Sequence, residues 1–302
     1  MDGDALARAG PGVDPLGAEH RKLAGRYHLA KDEFTDNNHF PWQLYAREAR
    51  RIVGLYTLSE NDVVLAPGRQ RARIHADSIA AGEFPIDSFP VRKREPEREV
   101  LEGYIYMLDR FTRPYQIPYR ILVPEAVDGL LVPVAASTTH VAFSTIRLEP
   151  TWMALGQAAG TAAHLAIAGA TQPREVNVET LQRLLLKQGQ VLTYFRDIDR
   201  ASHAYAALQY FGTKGFFGDY YVRAREPIDR RVAAEWLLLA GKYTDGKAPA
   251  AWSNAGVLTR AELTALLPLP ESQWSDPANR ATRPRDAVLR GEFARALYAS
   301  GE

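Results

Sequence analysis

The sequence contains no cysteine among its 302 residues. This absence excludes disulfide bonds, thiol nucleophiles and cysteine-ligated iron–sulfur clusters within the chain. Charge of one sign is also lacking, because 37 basic and 36 acidic residues leave a formal net charge of +1. A near-neutral chain gives no electrostatic reason to expect binding to nucleic acid. No apolar run of about 18 residues occurs, so we predict no membrane span.

The glycine-rich signature of a dinucleotide-binding fold, G-x-G-x-x-G, is absent too. Its nearest approach is Gly10-Pro-Gly12, which the neighbouring Asp14-Pro15 pair indicates is a loop. In such folds the signature opens the first βαβ unit and places a helix N-terminus at the pyrophosphate. The start of the chain, Met1-Asp-Gly-Asp4, does not read as a signal peptide. The sequence as written therefore predicts a cytoplasmic protein, or an exported one if a leader precedes it.

The most informative segment of the chain lies between residues 129 and 169. Gly129-Leu-Leu-Val-Pro-Val134 is a short apolar run that predicts a buried strand. From Pro150 to Ala168 nearly every residue is apolar or small, which predicts a buried helix. Gly156 and Gly160 remove side-chain bulk from one face of that helix. The face then admits either a flat ligand or, as the alternative, another packed helix.

Four motifs carry a resemblance to a known family. They are Pro114-Tyr-Gln-Ile-Pro-Tyr-Arg120, Ser137-Thr-Thr-His140-Val-Ala, Ile146-Arg-Leu-Glu-Pro-Thr-Trp-Met153 and Leu155-Gly-Gln-Ala-Ala-Gly-Thr-Ala-Ala163. In this order they resemble the C-terminal part of FAD-dependent oxidoreductases related to the fumarate reductase and heterodisulfide reductase flavoproteins. The resemblance covers residues 40–192. It implies FAD as cofactor and an α+β fold: an incomplete Rossmann-like flavoprotein, without its first βαβ unit, that carries antiparallel strands in its substrate region.

The resemblance also implies which residues meet the cofactor. It places the first turn of the helix against the pyrimidine side of the isoalloxazine ring, where the helix N-terminus would favour negative charge. The predicted cofactor-binding residues are Ala135, Ser137, Glu149, Pro150, Thr151, Met153, Gly156 and Gln157. Two positions depart from the family. Pro133-Val-Ala135 stands where many relatives have Ala-Gly-Arg, and Phe89 stands where relatives have a histidine.

His140 and Arg147 are the predicted catalytic residues, and the sequence contains no predicted metal-ligating set. A histidine titrates near neutral pH, so His140 could take the substrate proton as hydride leaves carbon. Arg147 could bind a substrate carboxylate or neutralise reduced flavin. The alternatives are structural: a hydrogen bond that fixes the loop for His140, and an ion pair with Glu149 for Arg147.

Composition and pattern divide the chain into four predicted parts: a flexible lead at 1–20, a substrate or cap region at 21–120, the C-terminal part of an FAD-binding domain at 121–192, and a helical domain at 193–302. Within the cap region we predict a helix over Pro41–Val53 and antiparallel strands within 77–88 and 101–107. Tyr104, Tyr106, Tyr115 and Tyr119 could add aromatic surface there, and packing in the core is the alternative for each of them.

The C-terminal part differs from the rest. We predict a helix over Pro173–Leu192 and another that Asp199 caps. Three short motifs then recur at intervals of 30 residues, each opening an apolar helix: Ile228-Asp-Arg230, Leu258-Thr-Arg260 and Val288-Leu-Arg290. Residues 195–218 loosely resemble the start of an S-layer-homology module. Packing on the oxidoreductase part and attachment to a cell wall both stay open.

Two functions follow as hypotheses. The first is a fragment of an FAD-dependent oxidoreductase that transfers hydride from a small polar substrate, a sugar or an acid, to flavin. Its partners would be that substrate and a dinucleotide-binding segment that this sequence lacks. The second is a non-catalytic, envelope-associated binding module built on a degenerate flavoprotein remnant.

Overall fold

The computed structural model describes residues 35–37, 48–89, 105–106, 111–241, 250–279 and 283–301. The chain divides into two compact units, Met1–Arg50 and Arg51–Glu302. In the first unit the described residues form a 3₁₀ helix, Thr35–Asn37, and an irregular stretch at 48–50. The predicted flexible lead lies outside the described residues. The second unit contains the strands and α-helices described next.

Four short strands in the described part of the second unit form two antiparallel pairs. Strand β1 (Ser78–Gly82) pairs with β4 (Tyr115–Pro118), and β2 (Asp87–Ser88) pairs with β3 (Ile105–Tyr106). The register of the first pair shifts between Ser78 and Ala80. Every residue of β4 is buried, as is most of β1, so neither strand shows the alternation of a half-exposed sheet. The antiparallel strands predicted within 77–88 and 101–107 are confirmed over shorter spans.

Eight α-helices lie in the described part of the second unit: α1 Glu60–Val63, α2 His140–Ile146, α3 Glu149–Gly169, α4 Val178–Lys187, α5 Tyr205–Gly212, α6 Arg230–Leu239, α7 Arg260–Leu266 and α8 Arg290–Ala299. Short 3₁₀ helices span Tyr119–Ile121, Pro173–Glu175, Ala250–Ser253 and Glu271–Gln273. This mixture of helices and small antiparallel sheets confirms the α+β class.

Helix α3 is the central packing element of the N-terminal half. Its buried face, which includes Leu155, Ala158 and Ala162, packs against β1 and α4. Small residues on that face let the elements approach closely. Helix α4 is shorter than the helix predicted over Pro173–Leu192. It starts after the cap Asn177, whose side chain accepts the N–H of Thr180, and it ends before Gly189, where φ is +82°.

Three predictions of secondary structure are wrong. The run Gly129–Val134 is an irregular loop, half-buried or exposed, that no strand pairs along its length. Residues 48–53 are extended rather than helical, because the Ile52 N–H bonds to the carbonyl of Ala135 at 2.9 Å. Residues 41–47 of that predicted helix lie outside the described residues. Asp199 accepts the N–H of Ala201 in a turn and does not cap α5.

The three recurring motifs each open a helix, as predicted, and they also contact one another. The N–H of Ile228 bonds to the carbonyl of Val288, that of Val288 to Leu258, and that of Leu258 to Ile228, each at 2.9 Å. The three repeats therefore close into a ring of hydrogen bonds. A capping box also opens α7, with Thr259 and Glu262 as its members.

Residues on both sides of position 192 share one core. The Tyr220 hydroxyl donates to the carbonyl of Pro114 at 2.7 Å, and the Arg71 guanidinium donates to Thr193 Oγ1 at 2.8 Å. Arg71 is buried between the rings of Phe195 and Tyr220, with its carbon Cζ about 5 Å from each ring centre. The helical C-terminal region is thus packed against the rest of the unit. The domain boundaries predicted from sequence stay predictions.

Candidate functional site

The loop at residues 135–139, which we call the 135–139 loop, is bonded to the extended segment at residues 52–59. The N–H of Leu58 donates to the carbonyl of Ser137 at 3.0 Å, and the N–H of Thr139 donates to the carbonyl of Leu58 at 2.8 Å. The hydroxyls of Thr57 and Ser137 bond each other at 2.9 Å. On the other side, the N–H of Ser137 bonds to the carbonyl of Ile121 at 2.9 Å. The loop is therefore fixed through its backbone from two directions.

Two predicted cofactor residues lie on this loop. Ser137 is buried, and its hydroxyl already bonds Thr57, so it meets a protein partner rather than an open surface. Ala135 is half-buried, and its carbonyl accepts the N–H of Ile52. Ser137 therefore serves the loop's own structure through its side chain, and Ala135 does so through its carbonyl.

The two predicted catalytic residues lie at the two ends of the short helix α2. His140 is its first residue and is half-buried. The cap before it, Thr139, accepts the N–H of Ala142 at 3.1 Å. Arg147 follows the other end of α2, with only 8% of its side chain exposed, and its Nη2 lies 3.1 Å from Asp87 Oδ2. Arg147 is thus paired with Asp87 on β2 and not with the exposed Glu149 that the sequence suggested. The catalytic roles of both residues stay predictions.

The N-terminus of α3 carries four more predicted cofactor residues. The first turns of α3 contain Glu149, Pro150, Thr151 and Met153. Leu148 stands at the N-cap, and its side chain makes no capping hydrogen bond. Because α2 lies between this turn and the 135–139 loop, the two sets stand at opposite ends of a helix about 10 Å long. Pro150 has no N–H and the Thr151 N–H bonds to the carbonyl of Leu148, so this terminus offers a ligand mainly the partial positive charge of the helix.

One face of α3 is open. A Cβ added at Gly156 or Gly160 would meet no atom within 4 Å, and Met153 and Ile167 on the same face are 75% and 82% exposed. The prediction that α3 is buried on all sides is therefore wrong for this face. Among the described residues, no other helix packs against these glycines. Gln157 is also exposed, but its amide donates to Gln188 Oε1 at 3.1 Å.

Of the two alternatives for the four tyrosines, packing in the core is the one that Tyr115 and Tyr119 follow. Tyr115 and Tyr119 are each 2% exposed, and burial raises the pKa of both phenols above its usual range. The Tyr115 hydroxyl bonds Thr145 Oγ1 at 3.0 Å, and that of Tyr119 donates to the carbonyl of Pro173 at 2.7 Å. Both tyrosines belong to the core. The side chains of Tyr104 and Tyr106 lie outside the described residues.

A buried polar cluster was not found from the sequence. The carboxylate of Asp62 is fully buried and meets Tyr56, Ser59, Arg73 and His75. Burial opposes ionisation of Asp62, but the contacts from His75, the N–H of Ser59 and the Tyr56 hydroxyl outweigh it and lower the pKa of the carboxyl to about 2. The one local signal was the spacing Ser59-x-x-Asp62, which resembles a capping box.

The part of the chain that the structure describes contains neither a membrane-spanning helix nor a metal-binding cluster. No helix there is long and apolar enough to cross a membrane. No group of three or more histidine, aspartate or glutamate side chains there is placed to hold a metal ion.

The fold and the site define a mixed helix and sheet protein with an open, glycine-lined helix face and an uncapped helix N-terminus at its candidate site. The chain belongs to the FAD-dependent oxidoreductase family, whose family model matches residues 13–185, more than half of the 302 residues. Its cofactor is accordingly FAD. No curated protein and no solved structure matches the chain.

Proposed function

We propose that this chain supplies the isoalloxazine side of an FAD-dependent oxidoreductase that takes hydride from a small polar substrate. The open face of α3 is the observation that carries the proposal. Gly156 and Gly160 leave a surface that a flat ring can approach, and the uncapped helix N-terminus beside it favours negative charge. Both features fit a flavin ring, which gains electron density on reduction.

The described residues do not fit the other end of FAD. A pyrophosphate is commonly held by a glycine-rich turn at a helix N-terminus, and the described part of the chain offers no G-x-G-x-x-G turn for it. We propose that a dinucleotide-binding segment, absent from this sequence, supplies that cradle and packs on the open surface. This accounts for two observations together. The run Gly129–Val134 has the composition of a strand but no ladder partner, and Leu130 and Val134 are 43% and 48% exposed.

In this proposal the chain's own residues prepare and bind the substrate. Bound FAD would accept the hydride that leaves the substrate carbon. His140 takes the proton of the substrate hydroxyl or amine, which requires a neutral imidazole in reach of that group. The burial of Arg147 and its pairing with Asp87 favour a positioning role for it, because its charge is already engaged by a carboxylate. A sugar or an acid remains the proposed substrate class.

The test compares flavins of different length on the purified chain. If the chain contacts the isoalloxazine end alone, FAD, FMN and riboflavin should bind weakly and within about threefold of one another in Kd. Gly156→Leu should weaken all three by filling the open face. Gly218→Leu is the matched control, since Gly218 is exposed and equally unobstructed. Stoichiometric FAD retained through purification would contradict the proposed division of the site, and unchanged binding by Gly156→Leu would contradict the placement on α3.

A second proposal is favoured by the hydrogen-bonded ring of the three C-terminal repeats. Beside it opens a cleft of about 1000 Å³, lined by charged residues of both signs, among them Asp199, Arg223, Glu226, Asp276 and Arg295. Together with the resemblance to an S-layer-homology module, this supports association of an exported protein with the cell envelope, with or without catalysis. Co-sedimentation with purified cell walls tests it. Binding that survives Gly156→Leu but is lost when Arg223 and Arg225 are replaced by Ser would support it, and no sedimentation would contradict it.

A further inference from the structure

Asp62 holds both ends of a four-residue stretch, Tyr56–Ser59. Its Oδ1 accepts the Tyr56 hydroxyl at 2.8 Å, and its Oδ2 accepts the N–H of Ser59 at 2.8 Å and the Ser59 hydroxyl at 3.1 Å. The Asp62 side chain is 0% exposed, so these bonds form away from water. Two residues three positions apart are therefore fixed to one carboxylate.

The carboxylate is itself fixed to the rest of the unit. His75 Nε2 lies 3.3 Å from Asp62 Oδ1, and the buried imidazole packs edge-on against the Tyr56 ring with centroids 5.3 Å apart. The backbone N–H of His75 donates to Gln116 Oε1 at 2.7 Å, and Gln116 belongs to β4. The Tyr56–Ser59 stretch is thus connected, through Asp62 and His75, to strand β4.

The residues between the two anchored ends are those that bond the 135–139 loop. Thr57 bonds Ser137 through its hydroxyl, and Leu58 bonds both Ser137 and Thr139 through its backbone. Glu60, immediately after the stretch, accepts the Thr139 hydroxyl at 3.3 Å. Thr139 is the cap of the helix that begins with His140. A continuous series of short contacts therefore runs from the buried carboxylate to the start of α2.

We propose that Asp62 is a positioning residue for the 135–139 loop, and through it for His140. The proposal rests on the proposed function for its relevance to flavin chemistry, but its geometry is carried by this chain alone. Asp62 does not reach the loop. It fixes the stretch that the loop is bonded to, so loss of the carboxylate should free Leu58 and Thr139 together.

Amide hydrogen exchange on the full chain tests this placement directly. Asp62→Asn keeps one acceptor oxygen, which cannot accept from both Tyr56 and Ser59, so the amides of Leu58, Ser137 and Thr139 should exchange about tenfold faster or more. The control is Asp219→Asn, which removes a more exposed ion pair with Arg223 in the C-terminal region. Faster exchange at Leu58 and Thr139 in Asp62→Asn but not in the control supports the proposal. Unchanged exchange at these amides, or equal acceleration in both variants, overturns it.

Two additions keep the test decisive. If Asp62→Asn does not fold, Tyr56→Phe removes one of the three bonds while keeping the ring, and a smaller acceleration at the same amides is expected. Riboflavin binding then separates the two proposals. Weaker binding by Asp62→Asn, with the control unchanged, supports positioning of a flavin site. If riboflavin binds none of the proteins, the proposed flavin role fails, and the exchange rates alone decide the positioning role of Asp62.

Discussion

Arg260 and Glu292 form a buried ion pair that joins the second and third repeats of the C-terminal region. Arg260 Nη1 lies 3.0 Å from Glu292 Oε1, and the two side chains are 4% and 1% exposed. Arg230 and Glu262 stand in the same relation one repeat earlier, again 32 residues apart, but there the side chains are 24% and 29% exposed. In the first repeat, Val232 occupies the position that Glu262 and Glu292 occupy in the second and third repeats. Arg290 therefore meets no carboxylate at that position, and its Nε donates to the carbonyl of Val222 at 3.1 Å.

This pair of equivalent contacts gives a matched prediction on stability. Arg260→Met should lower the free energy of unfolding by about 3–5 kcal/mol, because it leaves the charge of Glu292 buried without its cation. Arg230→Met should cost much less, since water screens the more exposed pair. Urea unfolding of both variants measures the difference. Equal losses would show that burial does not decide the strength of this repeat contact.

The sequence predicted what depends on neighbouring residues. Helices α6, α7 and α8 were found because Arg230, Arg260 and Arg290 follow a repeated turn motif, and α3 was found from its run of small apolar residues. Prediction from the sequence failed where contacts with a distant segment determine the local conformation. Residues 48–53 are extended because Ile52 pairs with the 135–139 loop, more than eighty positions away.

The residues of the candidate site also differ in whether the sequence could predict them. The motifs containing His140 and the glycines of α3 could be predicted, because each is a local pattern that the family shares. The Asp62 cluster could not, since Tyr56, Arg73 and His75 meet Asp62 only after the chain has folded. Arg147 stays a predicted site residue, but its ion-pair partner is not the expected one. Asp87 lies 60 residues from it, whereas the expected partner, Glu149, is two residues away.

Asp62 should make stability depend on acid pH. Its pKa is about 2 in the folded chain, against an ordinary value of 3.8 for an aspartate. A lowered carboxyl pKa stabilises the fold fully above the unfolded value, and that contribution is lost as pH falls towards the folded value. Between about pH 5 and pH 3 the loss from this group should be about 1 kcal/mol. Urea unfolding at both pH values should show it in the wild type.

The control for this pH dependence is Asp62→Asn, which cannot ionise. Subtracting its change in unfolding free energy from that of the wild type isolates the contribution of Asp62 from those of the other carboxylates. A variant whose stability falls by the same amount between the two pH values would show that Asp62 is not held at a lowered pKa.

Gly54 should be intolerant of a side chain because the 52–59 segment approaches the 135–139 loop closely there. A Cβ at Gly54 would lie 2.8 Å from Ser137 Cβ and 3.0 Å from the carbonyl oxygen of Arg120. Backbone must shift to relieve the second contact, so Gly54→Ala should destabilise the fold by about 1–3 kcal/mol. Gly218→Ala, where the added carbon meets no atom within 4 Å, should change stability by less than about 1 kcal/mol. Thermal unfolding of both variants makes the comparison, and a neutral Gly54→Ala would mean that the segment does not lie this close.

The last prediction concerns His140 in the flavin-loaded enzyme. If its imidazole takes the substrate proton, His140→Ala should slow flavin reduction by roughly 10²–10⁴-fold while flavin content stays the same, as expected for loss of a positioned general base. His203→Ala is the control, because His203 lies on the C-terminal cleft, away from α2. Stopped-flow reduction under single-turnover conditions measures the step directly, and its dependence on pH should lose one ionisation in the variant. A rate within about threefold of the wild type would rule out the base. Loss of flavin together with stability would instead assign His140 to the structure of the loop, the alternative that its half-buried place at the start of α2 also permits.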